Sequence, residues 1–323
     1  MRGFVWICLL SVLLFSAVAA GGELSVCLDF FPNPNHVPLY VAQEAGWFSD
    51  VGLSVDLVIP ANVSDPLKLV AAGRFDVALT PQINYLIALS EGLPVECVGA
   101  LIDHNLGGLL ARGDDTIETL ADLRGRRIGY SLAPLEPVLW ETMLACAGIG
   151  IDEVTLVNVG YNTVVSLLAG GVDAIGAFRN YEALQVGLLE EEPVFFPQEE
   201  HCVPDTYDIV LVARQNASEA AKKDMVAFLD VLARAVDSTR ARPDDAYALF
   251  LDGNPDLDDE LNRLSFEATL PLYAVGLRND DAAQWTALQE YLFSHGLIKR
   301  MFEVEELFDA MFLPSGASQG GGD

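Results

Sequence analysis

The feature that most constrains the fold of this chain is a regular alternation of strand-like and helix-like segments between residues 23 and 213. The strand-like segments are short and apolar, as buried strands are, and the segments between them have a helical spacing of apolar residues. Glycines such as Gly73 and Gly92 follow helical segments, where helices commonly end. This alternation predicts an α/β fold with parallel strand pairing and helices on both faces of the sheet.

The alternation occurs twice, and we therefore expect two α/β lobes. The predicted strands cover residues 23–30, 53–59, 76–80 and 95–102, then 109–112, 127–131, 154–159, 173–178 and 194–196, and finally 208–213. Residues 216–312 are predicted to be almost entirely helical, with helices at 217–240, 243–251 and 282–296. This order predicts a clamshell with a discontinuous first lobe (21–105 and 208–314), a second lobe (106–207), and a helical C-terminal extension on the first lobe. Ligands of open α/β sheets bind at the carboxyl ends of strands, so the cleft between the lobes is the expected site.

Both ends of the chain are predicted to lie outside this fold. Arg2 precedes an apolar run over residues 4–18 that ends in small residues, which is typical of a secretory signal peptide. The run is shorter than the roughly 20 residues of a spanning helix. We expect a cleaved signal peptide over residues 1–20 and export to the periplasm, with an uncleaved anchor as the alternative. The Gly-rich residues 315–323 are predicted to form a disordered tail.

The acidic composition limits the class of partner. Among 323 residues, 47 are Asp or Glu and 18 are Lys or Arg, which gives a formal net charge of −29. Such a field repels phosphate backbones and anionic lipid, so we expect no nucleic-acid partner. A solvated acidic surface suited to salty surroundings explains the charge, and attraction of a cationic ligand is the alternative.

Sequence motifs for catalysis or metal binding are missing. The chain contains no GxSxG, HExxH, P-loop or GxGxxG motif, and its histidines are scattered. We therefore expect no enzyme activity, no cofactor and no metal. Cys27 and Cys97 lie in strand-like runs and could pair in an oxidising compartment, and buried free thiols are the alternative.

Five segments together resemble one protein family. They are LDFFPNPNHVPLYVAQEAGWF, SDPLKLVAAGRFDVALTPQ, EGLPVECVGALI, DAIGAFRNYEALQ and PQEEHCVPDTYD. Over about residues 24–215 the chain resembles the binding proteins of ABC importers for thiamine pyrimidine precursors, the formylaminopyrimidine-binding family. The resemblance implies a periplasmic-binding-protein fold of type II-like form, and capture of formylaminopyrimidine or hydroxymethylpyrimidine for an ABC permease in the inner membrane. A monomer is expected for this class of fold.

The resemblance and the chemistry of an aminopyrimidine together indicate three principal ligand-binding residues. Phe30 follows the first strand and Phe178 ends a strand of the second lobe, so that both rings could stack on the pyrimidine. Glu182 lies one helical turn after Phe178 and could accept a hydrogen bond from the amino group. Similar proteins commonly have Trp at the position of Phe30. The smaller phenylalanine ring reduces the stacking area in this chain. The alternatives are a core position for Phe30 and a first-turn helix acid for Glu182.

Further ligand-binding candidates lie near the ends of predicted strands. They are Asn33, His36, Thr80, Gln82, Tyr85, Ser131 and Asn180. Their structural alternatives include a Pro-rich turn for Asn33, a helix start for His36 and a core position for Tyr85. Ser131 could direct its hydroxyl and nearby helix-terminal N–H groups at a ligand substituent, or it could cap the helix.

Two other functions stay open. A binding protein for another small solute, such as an aliphatic sulfonate, would need basic donors in place of Glu182. The wider family also holds a fungal pyrimidine-precursor synthase, with a lysine and a histidine in the segment corresponding to residues 76–86. Thr80 and Asn84 occupy those places here, and clustered cysteines are missing, which argues against synthase activity.

Overall fold

The computed structural model describes residues 22–60, 66–113, 116–160, 162–189 and 192–312. The predicted signal peptide and the predicted C-terminal tail lie outside these ranges. Within them, no helix is both long enough and apolar enough to cross a membrane.

Strands and helices alternate along the described chain, as the sequence predicts. The strands are β1 (Gly22–Cys27), β2 (Leu53–Val58), β3 (Val77–Thr80), β4 (Val95–Ile102), β5 (Gly107–Arg112), β6 (Arg127–Tyr130), β7 (Thr155–Asn158), β8 (Ala174–Phe178), β9 (Pro193–Pro197) and β10 (Ile209–Arg214). The helices are α1 (Val37–Glu44), α2 (Trp47–Asp50), α3 (Pro66–Ala71), α4 (Gln82–Ser90), α5 (Leu135–Cys146), α6 (Thr163–Leu168), α7 (Glu182–Leu188), α8 (Glu219–Ala241), α9 (Pro243–Gly253), α10 (Glu260–Thr269) and α11 (Ala282–Ser294). Short 3-10 helices occupy several connections, including Pro34–His36 and Leu120–Leu123.

The described strands form two five-stranded sheets, in the orders β2-β1-β3-β10-β4 and β7-β6-β8-β5-β9. We call the part of the chain built on the first sheet the first lobe and the part built on the second sheet the second lobe. The predicted lobe boundaries stay a prediction, and they fall between the strands of one sheet and those of the other.

The expectation of purely parallel pairing was wrong at two strands. β10 pairs antiparallel with both β3 and β4, and β5 pairs antiparallel with both β8 and β9. The other strand pairs are parallel. β5 and β10 are the strands that enter one lobe directly from the other without an intervening α-helix. A crossover helix returns the chain so that the next strand of the same sheet runs parallel to the last. Because β5 and β10 enter their sheets without such a helix, nothing requires them to run parallel to their neighbours.

The strand order of the first sheet separates Cys27 from Cys97. Cys27 ends β1 and Cys97 lies in β4, with β3 and β10 between them. Both residues are buried free thiols, so the alternative of a Cys27–Cys97 pair is wrong. A disulfide instead joins Cys146, at the end of α5, to Cys202, in the segment between β9 and β10.

The C-terminal helices complete the first lobe. Phe228, Leu232 and Val236 recur every four residues along α8 and are buried, because that face of the helix packs against the first lobe's core. The Ser218 hydroxyl caps α8 by accepting a hydrogen bond from a backbone N–H of its first turn. Helix α10, which the sequence analysis did not single out, packs against α7 of the second lobe. It therefore lies where the two lobes approach each other.

Candidate ligand-binding cleft

A pocket of about 150 Å³ lies where strand ends from the two lobes meet. One side is the segment after β1, and the other is the turn that joins β8 to α7. The lining residues are Asp29, Phe30, Phe31, Pro32, Asn33, Asn35, Phe178, Asn180, Tyr181, Glu182 and Ser265. The predicted site residues among them are Phe30, Asn33, Phe178, Asn180 and Glu182.

A larger groove of about 920 Å³ is open to solvent and has a charged lining that includes Glu96, Lys222 and Arg300. None of its lining residues lies in the segment directly after β1 or in the turn directly after β8. Since ligands of this fold class bind at the carboxyl ends of strands, we place the candidate site in the smaller pocket.

Aromatic rings form much of the apolar surface of this pocket. Phe30 is 43% exposed and Phe31 is 63% exposed, and their rings meet edge to face with centroids 5.3 Å apart. Phe178, the last residue of β8, is half-buried and packs partly against the core of the first lobe. Burying a large apolar side chain completely would stabilise the fold by about 1.5–3 kcal/mol, and an exposed ring lacks part of this stabilisation. Phe30 is therefore not a core residue, and its ring contributes apolar surface to the pocket.

Glu182 lines the pocket as the first residue of α7. Its Oε2 accepts a hydrogen bond from the backbone N–H of Phe178 over 2.8 Å. Burial raises the pKa of the Glu182 carboxyl above its ordinary value. The residue is thus a first-turn helix acid and a pocket residue at once, and the local turn holds its carboxylate in place.

Asn180, in the same turn, is almost completely buried. Its Nδ2 donates to Oδ1 of Asn35 over 2.8 Å and to Oγ1 of Thr269 over 2.7 Å. The Thr269 hydroxyl donates its own hydrogen to the carbonyl of Ser265, so it must accept from Asn180, and this fixes the orientation of the amide. Oδ1 of Asn180 then has no hydrogen-bond partner among the described residues. A buried acceptor in that state favours binding of a ligand that donates to it.

The segment between β1 and α1 is shaped by hydrogen bonds among its own side chains. Nδ1 of the buried His36 accepts from the N–H of Asn33 over 3.3 Å, so its Nε2 carries the hydrogen and donates to Oδ1 of Asp29 over 2.7 Å. Asn33 accepts from the N–H of Asn35 and donates to the carbonyl of Phe31, each over 2.9 Å. His36 lies outside the pocket lining, and it orients Asp29.

Thr80, Gln82 and Tyr85 are buried in the first lobe and lie outside the pocket lining. Oε1 of Gln82 accepts from the backbone N–H of Tyr207 over 3.0 Å, in the segment that returns from the second lobe. The Tyr85 hydroxyl donates to the carbonyl of Leu307 over 2.7 Å. Tyr85 is therefore a core residue, which was the structural alternative to ligand binding. It lies on the face of α4 that packs into the first lobe.

Ser131 also lies outside the pocket lining, at the turn after β6. Its hydroxyl donates to the carbonyl of Gly160 over 2.7 Å. Its backbone N–H donates to Oε2 of Glu136 over 2.5 Å, and the N–H of Leu132 donates to the same oxygen over 3.2 Å. The donors that Ser131 was expected to direct at a ligand are therefore engaged within the second lobe.

Several pocket residues were missed by the sequence analysis. Asp29 and Asn35 flank predicted residues in the segment after β1, so the strand end indicated the segment but not these side chains. Ser265 comes from α10, far along the chain. Its place beside the pocket depends on packing between the lobes, and no local pattern indicates it.

Comparisons of sequence relate the chain to proteins of thiamine metabolism. The family model described as NMT1/THI5 like matches residues 33–246. A Haemophilus influenzae protein named as a thiamine biosynthesis protein is 36% identical over 88% of this chain and 90% of its own length. The formylaminopyrimidine-binding protein of Halalkalibacterium halodurans is 27% identical over 96% of this chain and 99% of its own. Relatives at 24–26% identity are named 4-amino-5-hydroxymethyl-2-methylpyrimidine phosphate synthase.

Comparison of structures confirms the predicted two-lobed α/β fold. The periplasmic aliphatic sulphonate binding protein of Escherichia coli superposes with a TM-score of 0.71 at 14% sequence identity, over 90% of this chain and 98% of that one. At this level of identity the likeness shows a shared periplasmic-binding-protein fold. The family model extends over most of the chain, and the sequence relatives match it over nearly its whole length. The chain belongs to the NMT1/THI5-like family.

Proposed function

We propose that this protein is a monomeric, periplasmic binding protein that captures a thiamine-related aminopyrimidine and delivers it to an ABC permease in the inner membrane. The observation that carries the proposal is the pocket lined by Phe30 and Phe178 with Glu182 among its polar groups. Its volume of about 150 Å³ is comparable to that of an engineered cavity that binds benzene. A single six-membered ring with small substituents is therefore a ligand of suitable size.

The polar groups of the pocket complement the amino edge of such a ring. An amino group on a pyrimidine has two N–H donors. Among the acceptors of the lining residues, the Glu182 carboxylate and the unpartnered Oδ1 of Asn180 suit them. If the neighbouring ring nitrogen is protonated, its bond to Glu182 becomes charge-assisted and stronger. The phenylalanine rings supply offset or edge-on contacts to the ring faces. Because both lobes would contact the ligand, its binding would favour closure of the lobes over it.

An aliphatic sulfonate is the less favoured ligand. A sulfonate group needs cationic or N–H donors, and the described lining of the pocket has the acids Asp29 and Glu182 but no Lys, Arg or His. Carboxylates in a half-buried site repel an anion. The fold shared with the sulphonate-binding protein therefore does not extend to a suitable binding chemistry in this pocket.

A synthase is also less favoured than a binding protein. Burial raises the pKa of the Cys27 thiol to about 11 and that of the Cys97 thiol to about 12, so neither supplies a thiolate nucleophile near neutral pH. Thr80 and Asn84 stand where the resemblance to the fungal synthase implies a lysine and a histidine. A binding function requires neither pair of groups.

Calorimetric titration of the ligand-free mature protein tests the proposal. The titrants are formylaminopyrimidine, hydroxymethylpyrimidine, thiamine and taurine. We expect one aminopyrimidine to bind with a Kd in the micromolar range or below, and taurine not to bind. Binding of taurine with no response to either aminopyrimidine would establish the sulfonate alternative, and product formation from the synthase substrates would establish the enzyme.

The variant Glu182→Gln tests the assigned site in the same titrations. We expect it to weaken aminopyrimidine binding by about 1–3 kcal/mol, because the charged acceptor is replaced by an amide. Glu219→Gln is the matched control, since Glu219 is also a first-turn helix acid but its side chain is 93% exposed on α8. Equal affinities of the two variants would remove Glu182 from the site.

A further inference from the structure

Glu136 is a half-buried acid of the second lobe that the proposed recognition does not use. It is the second residue of α5, and its Oε2 accepts the N–H groups of Ser131 and Leu132 over 2.5 and 3.2 Å. Its Oε1 lies 3.4 Å from the position that a Cβ atom would take on Gly176 in β8. The carboxylate therefore lies over the strand that ends in Phe178, which lines the pocket.

The N–H groups that Glu136 occupies are of the kind that bind anions in α/β proteins. Backbone N–H groups of a loop between a strand and the start of a helix point at a common centre, and the helix dipole adds a positive potential there. β6 is followed by such a loop and then by the 12-residue helix α5. In this protein the anion at the loop is a carboxylate of the chain itself.

The position of Glu136 also places negative charge near the pocket. Burial raises the pKa of the Glu136 carboxyl, the two backbone hydrogen bonds that it accepts lower it, and the negative charge of Glu182 raises it by a smaller amount. Gly176 and Phe178 are two residues apart in β8, so Glu136 lies over the face of the strand that carries the Phe178 side chain. A phosphate or sulfonate at this loop would have to displace Glu136 from its donors and would face both carboxylates.

We propose that Glu136 is a specificity-determining residue that excludes ligands with a phosphate or sulfonate group by occupying the N–H groups of Ser131 and Leu132. The cleft then takes the unphosphorylated pyrimidine and rejects its phosphate ester. The identity of the ring rests on the proposed function, whereas exclusion of the oxyanion follows from the loop alone.

The test compares hydroxymethylpyrimidine with its phosphate ester in calorimetric titrations of the wild type, Glu136→Ala and Glu136→Gln. We expect the wild type to prefer the alcohol, and Glu136→Ala to reduce this preference by about tenfold or more because two donors become available. Glu136→Gln keeps an acceptor for the N–H groups but removes the charge, so we expect a smaller change in the same direction. Glu141→Ala, an exposed acid on the same helix, should leave the preference unchanged.

A second arm is independent of the pyrimidine. Inorganic phosphate and sulfate are added to each variant, and thermal unfolding is followed at constant ionic strength, adjusted with sodium chloride. We expect both anions to raise the Tm of Glu136→Ala but not that of the wild type. If no pyrimidine binds and this difference is seen, the proposed function fails while the role of Glu136 stands.

Three outcomes would overturn the role of Glu136. They are a wild type that binds the phosphate ester as well as the alcohol, a folded Glu136→Ala with the wild-type preference and no response to the anions, and, should Glu136→Ala not fold, a Glu136→Gln with the wild-type preference.

Discussion

Asn180 donates a hydrogen bond of 2.8 Å to the side-chain carbonyl of Asn35, although 145 residues separate them in sequence. Asn180 belongs to the turn after β8 in the second lobe, and Asn35 belongs to the 3-10 helix after β1 in the first. Both residues line the candidate pocket. The bond therefore couples the approach of the two lobes to the geometry of the site.

Replacing Asn180 should weaken ligand binding. Asn180→Ala removes both hydrogen bonds across the cleft and the unpartnered acceptor, so we expect about a 10- to 100-fold loss of aminopyrimidine affinity. Calorimetric titration measures the loss. Asn162→Ala, an exposed position in the second lobe, is the control and should bind as the wild type does. Wild-type affinity of Asn180→Ala would show that the amide contacts no ligand.

Changing the size of the Phe30 ring should change affinity in a graded way. We expect Phe30→Ala to weaken aminopyrimidine binding by about 0.5–1.5 kcal/mol beyond the loss of burial, and Phe30→Trp to strengthen it, because stacking grows with ring area. Phe293→Ala is the control, since Phe293 is also exposed (49%) but lies on α11 away from the pocket lining. Identical titration curves for the three Phe30 forms would contradict stacking.

The buried carboxyl of Asp208 should make stability depend on pH. Burial raises its pKa from 3.8 to about 7, and the negative charges of Asp29 and Asp205 act in the same direction. The folded protein then holds a proton that the unfolded chain releases, so this stabilisation is complete below about pH 4 and is lost as pH rises to about 7.

Urea unfolding between pH 4 and pH 8 measures this contribution. We expect Asp208→Asn to have a flatter profile than the wild type, by about 1–4 kcal/mol across the window, because the amide cannot ionise. Asp244→Asn, an exposed acid, should keep the wild-type slope. Parallel profiles for wild type and Asp208→Asn would show that Asp208 titrates normally.

The cysteine pairing predicts a definite pattern of thiol labelling. In mature protein denatured without reductant, only Cys27 and Cys97 should be alkylated, and reduction should add Cys146 and Cys202. Peptide mass spectrometry identifies the labelled residues. Replacing both Cys146 and Cys202 by Ser should lower the free energy of unfolding by about 2–4 kcal/mol, since the disulfide restricts the unfolded chain. Labelling of Cys146 without reductant would contradict the pairing.

Most of the individual elements could be predicted because their causes are local. The segment at Val95–Ile102 is apolar except for Glu96 and has a turn on either side, and the strand has those bounds. Asp259 is the N-cap of α10, and its carboxylate accepts a hydrogen bond from the N–H of Asn262 over 2.8 Å. Helix α10 lies within residues 216–312, which were predicted to be almost entirely helical, but it was not given bounds of its own.

The candidate site could be predicted only in part, because local patterns locate strand ends but not the direction of the side chains there. Phe30 and Glu182 follow strands and Phe178 ends one, and a strand end can be found from apolar patterning. Tyr85 also lies near a strand end, yet its side chain turns into the core. Which way a side chain points after a strand depends on the packing of the helix that carries it, and the local pattern does not contain that information.

The sequence by itself determined the alternation of strands and helices, the division into two series and the family, because these depend on local periodicity and on the order of residues. Only the tertiary structure decided that β10 inserts between β3 and β4, that Cys146 pairs with Cys202, and that α10 approaches the turn at Asn180. Each of these depends on contacts between segments far apart in the chain. Such contacts are selected by the packing of the whole molecule, and a local pattern of apolar and polar residues is compatible with several of them.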